Sequence, residues 1–176
     1  MFIDFDRTLF DTDLLYEWIG ENRIEKLMKL TSGELISPDF SQYLYSDTLE
    51  FLRWASTTHQ LVLLTYTINV TLQDKKISGS GVAQFFDEVI MVTGEDGDFS
   101  GKGTAAKNYL LKTGVRGLEH VFLDDSPQNI DEVKQKNPEI RCIRIDRVVH
   151  AQGMLHDAFL SPDHVVRDLN ELRSIL

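Results

Sequence analysis

The sequence predicts an α/β fold, a parallel β-sheet with helices on both faces. Three observations lead there. Short apolar runs alternate with stretches of helical spacing along the whole chain. The runs are apolar on successive residues, as strands buried on both faces are. Polar residues that could serve a ligand stand at the ends of these runs: Asp4 and Asp6, Thr65, then Asp124 and Asp125. In parallel sheets ligands bind beyond the carboxyl ends of the strands, so all three groups should gather at one rim.

Each element has its own signal. "FIDF" is the first strand. Residues 12–30 repeat apolar side chains at helical spacing, through Leu14, Leu15, Trp18, Ile24, Leu27 and Met28, with Gly20 as a place to split. "TSGELISPDFSQYLY" is loop-like. "SDTLEFLRWAST" is a helix, with Asp47 as N-cap and Glu50 completing a capping box. "LVLLT" and "EVIMV" are strands, and residues 68–86 between them are helical in part, broken at "SGSG". "TAAKNYLLK" is a helix, "HVFLDD" a strand, and "PQNIDEVKQK" a helix opened by Pro127. "RCIRI" is a fifth strand. "PDHVVRDLNELRSIL" is a last helix with Asp163 as its cap.

The 176 residues favour one domain, and 42% hydrophobic residues suffice for a packed core. A formal charge of −10 and a pI of about 4.9 disfavour binding to a nucleic-acid backbone. An acidic protein still binds phosphates where a metal supplies the local positive charge. The single cysteine, Cys142, excludes an internal disulfide and a multi-cysteine metal site; in a strand it reads as an inert buried thiol. Asp4 and Asp6 interrupt any signal-peptide pattern, and no apolar run approaches the ~20 residues of a membrane helix. A cytoplasmic protein without membrane contact is expected.

The stretch "MFIDFDRTLFDTD" sets the chemical problem. An ionised carboxylate in an apolar run loses several kcal/mol of hydration unless it is paired or metal-bound. In an extended chain Asp4 and Asp6 point the same way. Asp125 from another strand end would bring a third carboxylate, and such like charges repel and raise each other's pKa. Oxygen ligation of a hard divalent cation resolves this, and Mg²⁺ suits a site of few carboxylates completed by water or phosphate.

At this level of detail the chain resembles the haloacid dehalogenase (HAD) superfamily. "DFDRTL" is similar to its first motif, D-x-D-x-T-L. "LVLLT" resembles the second, an apolar strand ending in Thr or Ser. "GKGTAAKNYLLKTG" resembles the third, in which a lysine opens a helix. "VFLDDSPQNI" resembles the fourth, G-D-S-x-x-D-I, with Asp124 in the Gly place, Asp125 matching the metal-binding Asp and Asn129 replacing the second Asp. The resemblance covers nearly all of the chain outside residues 12–44 and implies a three-layer Rossmannoid core of residues 1–11 and 45–176. Residues 12–44 would be a small helical cap inserted between the first two motifs.

The resemblance also implies roles. Asp4 would be the nucleophile that forms an aspartyl-phosphate, and Asp6 the general acid and then the general base. Thr65 and Lys102 would hold phosphoryl oxygens. Mg²⁺ would sit on Asp4, the Asp6 backbone carbonyl and Asp125. The expected activity is a Mg²⁺-dependent phosphatase acting on a phosphorylated small molecule. Arg7 stands where Gly is common and reads as tolerated without a positive φ, as a residue that contributes to substrate contact. A metal contact by Asn129 would run through water or be absent. Lys107 competes with Lys102 for the third motif, and Lys102 suits the loop-to-helix position better.

Taken singly, these residues have ordinary readings. Asp4 and Asp6 fit a solvated edge strand, Thr65 or the Asp124–Asp125 pair a helix cap, and Lys102 a surface lysine. Four ordered motifs at strand and helix ends outweigh them. "DGDFSG" starts like a calcium loop but has Lys107 where a bidentate Glu belongs, and "GKGT" lacks the spacing of a nucleotide P-loop. The five histidines have no zinc-site spacing. Tyr16 and Trp18 read as core or cap packing. A phosphotransferase or mutase is the nearest alternative, though a small cap excludes water poorly. Dehalogenation has no use for Asp6, a phosphoacceptor signalling domain has a different strand order, and intact Asp4 and Asp6 argue against a silent binding protein.

Overall fold

A computed structural model describes residues 1–94, 101–114, 119–147 and 162–176. Strands β1 (Phe2–Ile3), β2 (Val62–Tyr66), β3 (Glu88–Val92), β4 (His120–Asp124), β5 (Ile140–Ile145) and β6 (His164–Val166) form one sheet in the order β3-β2-β1-β4-β5-β6. Every pairing is parallel. The helices are α1 (Thr12–Ile19), α2 (Arg23–Ser32), α3 (Thr48–Thr58), α4 (Val70–Gly79), α5 (Lys102–Thr113), α6 (Pro127–Lys136) and α7 (Leu169–Ile175), with 3-10 turns at Phe40–Tyr43 and Ala83–Phe85.

The alternation of side chains sorts the core into two clusters. Ile3, Leu63 and Leu123 pack with residues of α3, α4 and α7, and also with Leu15 and Ile19 of α1 and Leu30 of α2. Phe2, Val62 and Phe122 pack with Ala106 and Tyr109 of α5 and Ile130 and Val133 of α6. The sheet therefore lies between two helical layers, as its doubly buried strands require.

β1 is central, with Ile3 level with Leu63 on one side and Leu123 on the other. Just beyond β1, the Asp4 amide still donates to the Leu123 carbonyl at 2.9 Å, and the Lys102 ammonium reaches both Asp4 and Asp124. Asp4 and Asp124 thus emerge side by side at the carboxyl end of the sheet.

Several local expectations change. The first strand is only two residues long, because the chain turns at Phe5, whose carbonyl accepts from the amides of Thr8, Leu9 and Phe10. Arg7 does adopt a positive φ, 58°, so the place often taken by Gly is a left-handed one here too. The helical stretch 12–30 divides at Gly20, φ 64°, into α1 and α2, and α2 runs on to Ser32. Trp18 is 47% exposed and does not enter the core. Asp47 precedes α3 without a side-chain capping bond; it accepts instead from Arg147 and from the Leu169 amide, both tertiary partners. The expected last helix is a short strand, β6, followed by α7, and Asp168 rather than Asp163 caps it. The "DGDFSG" loop lies outside the described residues except for Gly101. Among the described residues, no helix is long and apolar enough to cross a membrane.

Candidate active site

Asp4 is buried and held from two sides. Its Oδ1 accepts from Lys102 Nζ at 2.5 Å and its Oδ2 from Thr8 Oγ1 at 3.3 Å. Lys102 is 1% exposed and also donates to Asp124 Oδ2 at 2.7 Å. It reaches this point because it opens α5, on the face of the sheet toward which Asp4 and Asp124 project. Gly101 makes the entry with a φ of 123°, and its amide donates to both carboxylate oxygens of Glu132 at 2.9 Å. Lys107, one and a half turns further on, is exposed.

Asp124 is fully buried and its oxygens are occupied. Oδ1 accepts from the Ser126 amide at 2.8 Å, and Asn129 Nδ2 donates to both oxygens at 3.0 and 3.1 Å. Asn129 therefore anchors Asp124. Asp4, Asp124 and Asp125 each offer an oxygen within 4.8 Å of the others. Burial, followed by repulsion from Asp124, pushes the Asp125 carboxyl up to about 7. Burial also raises Asp4 well above the usual range, and repulsion from Asp124 and Asp125 adds to it, against the opposing pull of Lys102. Burial works against the Lys102 charge as well, but Asp124 and Asp4 outweigh it and the ammonium is held more firmly than usual. One ammonium does not balance three carboxylates. This set of hard oxygen donors suits a small divalent cation.

Asp6 has a separate set of partners. It pairs with Lys76 and accepts from Thr12 Oγ1 at 2.5 Å and from Gln73 Nε2 at 2.7 Å. Burial alone would raise its pKa, yet Lys76 and these hydrogen bonds lower it. Gln73 Nε2 also donates to Thr65 Oγ1 at 3.0 Å, so Thr65 and Asp6 share one donor. Thr65 is fully buried at the end of β2.

The loop between the two aspartates and α1 is braced. Arg147 donates to the Thr8 carbonyl at 2.8 and 3.0 Å and to Asp47 at 2.7 Å. Arg7 pairs with Asp13 through two hydrogen bonds of 2.8 and 3.1 Å. Beside it, Arg7, Asp13, Tyr16, Glu17, Gly20 and Arg23 line a cavity of about 460 Å³.

The five sequence-derived residues Asp4, Asp6, Thr65, Lys102 and Asp125 all lie at this one rim. Sequence reading missed Lys76 and Gln73, and left Asp124 undecided. A signal for the first two existed: the buried face of α4 comprises Leu72, Gln73, Lys76 and Ile77, two polar residues at positions where an apolar face would continue.

No protein-family model matches the chain in sequence, and no curated protein does. Solved structures do match in shape. A haloacid dehalogenase-like hydrolase, so assigned, from Burkholderia xenovorans superposes with a TM-score of 0.73 at 18% identity, over 97% of this chain and 95% of that one. A HAD phosphatase from Thermococcus onnurineus gives 0.66 at 19% identity, over 99% and 95%. YfnB of Bacillus subtilis, assigned as a HAD-hydrolase and bound to magnesium, gives 0.65 at 16% identity, over 99% and 96%. The chain has the haloacid dehalogenase-like fold. Within this HAD-like fold, Asp4 directly follows the central strand, Asp124 ends its neighbour with Asp125 next in the chain, and Lys102 lies between Asp4 and Asp124.

Proposed function

We propose that this chain is a phosphomonoester hydrolase that works through an aspartyl-phosphate on Asp4, with Mg²⁺ bound beside it and a phosphorylated small molecule as substrate. The observation that carries the reading is the buried Lys102 bridge between Asp4 and Asp124, with Asp125 alongside. A surplus of buried carboxylate around one ammonium is unfavourable for a folded chain alone. It becomes favourable where a cation and a phosphoryl group meet.

The Asp4 and Asp125 carboxylates and the Asp6 backbone carbonyl would hold the metal. When bound, Mg²⁺ supplies positive charge that offsets the carboxylates and the incoming phosphoryl oxygens. This chain's own residues do the rest. An Asp4 oxygen bonds to phosphorus as the bond to the leaving oxygen breaks, and Asp6, which must first take up a proton from solvent against the pull of Lys76, gives that oxygen its proton. Water then attacks phosphorus, Asp6 takes the water's proton, and the Asp4–phosphorus bond breaks to release inorganic phosphate. Lys102 and Thr65 hold phosphoryl oxygens as charge shifts onto them. Thr8 keeps Asp4 turned toward the rim, and Asp124 with Asn129 holds Lys102 in place.

The test is phosphate release from a panel of phosphomonoesters, with Mg²⁺ and with excess chelator. Release that stops on chelation and returns with Mg²⁺ is the expected result. Full release in chelator, from protein carrying no tightly held metal, would sink the reading.

A further inference from the structure

We infer, on the hydrolase reading above, that Lys76 is a positioning residue for Asp6, fixing its carboxylate for work on the leaving group while Gln73 ties that carboxylate to Thr65. Lys76 stands on α4, on the opposite side of the sheet from Lys102, so the two opening aspartates are each met by a different lysine from a different helical layer. Its side chain is 7% exposed. The ammonium lies 5.4 and 5.2 Å from the centres of the Phe5 and Phe10 rings, which close off its sides. Gln73, three residues earlier on the same face, is buried too.

Stability does not ask for this arrangement. Apolar residues at both 76 and 6 would extend the apolar face that Leu72 and Ile77 begin, and replacing a whole buried ion pair in this way is often neutral or stabilising. What only a donor can do here is fix Asp6. Lys76 and Thr12 both meet Oδ1, and Gln73 meets Oδ2, so the carboxylate plane is set from both oxygens. Gln73 also reaches Thr65, so the phosphoryl-holding hydroxyl and the acid–base group are placed relative to each other by one side chain.

The test uses the full chain with Mg²⁺ and compares wild type, Lys76→Met and Lys76→Arg. The substrates are an aryl phosphate, whose leaving oxygen needs little protonation, and an alkyl phosphate, whose leaving oxygen needs much. Orthovanadate, which mimics the transferred group, reports the phosphoryl pocket alone. Lys76→Met should lower turnover of the alkyl phosphate by roughly 10²-fold, the scale of a catalytic group displaced by about 1 Å. Loss on the aryl phosphate should stay several-fold smaller, with KM and vanadate inhibition within about twofold. Lys76→Met should melt below wild type, because it leaves the Asp6 carboxylate without its counter-charge, and Lys76→Arg should recover part of the alkyl rate. Equal losses on both esters, no loss on either, or a parallel loss of vanadate affinity would overturn the assignment while leaving the hydrolase reading intact. A wild-type chain that hydrolyses neither ester overturns both.

Discussion

Asp4 and Asp6 are the same residue type two positions apart, and their partners separate them. Asp4 sits with Lys102, Asp124 and Asp125, where the ammonium opposes the carboxylate charge. Asp6 sits with Lys76, Gln73 and Thr12. Asp4→Asn should give neither phosphate release nor a phosphoenzyme. Asp6→Asn should still form the phosphoenzyme, faster from an aryl than from an alkyl phosphate, and hydrolyse it slowly in both cases. Single-turnover labelling with the two ester types checks this, and equal labelling of both variants would refute it. Asp6→Asn has a second consequence, because it leaves Lys76 buried without its counter-charge. That loss should cost about 3 kcal/mol of stability. Asp6→Asn combined with Lys76→Met should recover the melting temperature and not the activity.

Helix α5 places Lys102 only because it packs closely on α6. A methyl group added at Gly103 would stand 2.7 Å from the Glu132 carbonyl oxygen, a backbone atom of α6 that cannot rotate away. Nearby, the Asn137 side chain donates to the Gly103 carbonyl at 2.8 Å, and Lys136 donates to Thr104 at 2.8 Å. Gly103→Ala should therefore push the start of α5 off α6, at about 1–3 kcal/mol for an overpacked contact. Since Lys102 is the neighbouring residue, phosphate release should fall with the melting temperature. Wild-type values for both would show that α5 has room to move without disturbing Asp4.

Across the whole molecule, the rim couples folding to protons and metal. Burial and the neighbouring Asp124 push the Asp125 carboxyl from its usual 3.8 up to about 7. Between those values the native state binds more protons than the unfolded chain, so metal-free stability should fall as pH rises through this window. Asp6 and Asp163 have lowered values, so their contribution disappears instead as pH falls below the ordinary carboxyl range. Mg²⁺ should offset the loss at high pH, adding about 2.7 kcal/mol when present at a hundred times its dissociation constant. Thermal melts at about pH 5 and about pH 8, with and without Mg²⁺, check the sign. The Mg²⁺ increment should be larger at the higher pH and small in Asp125→Asn. An equal increment at both pH values would mean that Asp125 is not the titrating ligand.

The doubly buried strands were legible because their composition is local: the runs "LVLL" and "VFL" have no residue for a solvated face. The polar strand ends were legible for the same reason, since acids in apolar runs need partners wherever they lie. Local patterns misled where distant chain supplied the partner. Asp47 has the look of a helix cap, yet Arg147 and the Leu169 amide occupy it. Residues 162–168 are polar enough to open a helix, yet β5 recruits three of them as an edge strand. Arg7 is left-handed because the chain must turn back at Phe5, which its neighbours in sequence do not reveal. Sequence by itself determined the α/β class, and it marked Asp4, Asp6, Thr65, Lys102 and Asp125 as candidates by type and by place near an element's end. Only tertiary structure decided that Lys102 bridges Asp4 to Asp124, and that Lys76 and Gln73 contact Asp6. Ion pairs across 98 and 70 residues are set by which helical layer covers which face of the sheet, and spacing along the chain does not encode that.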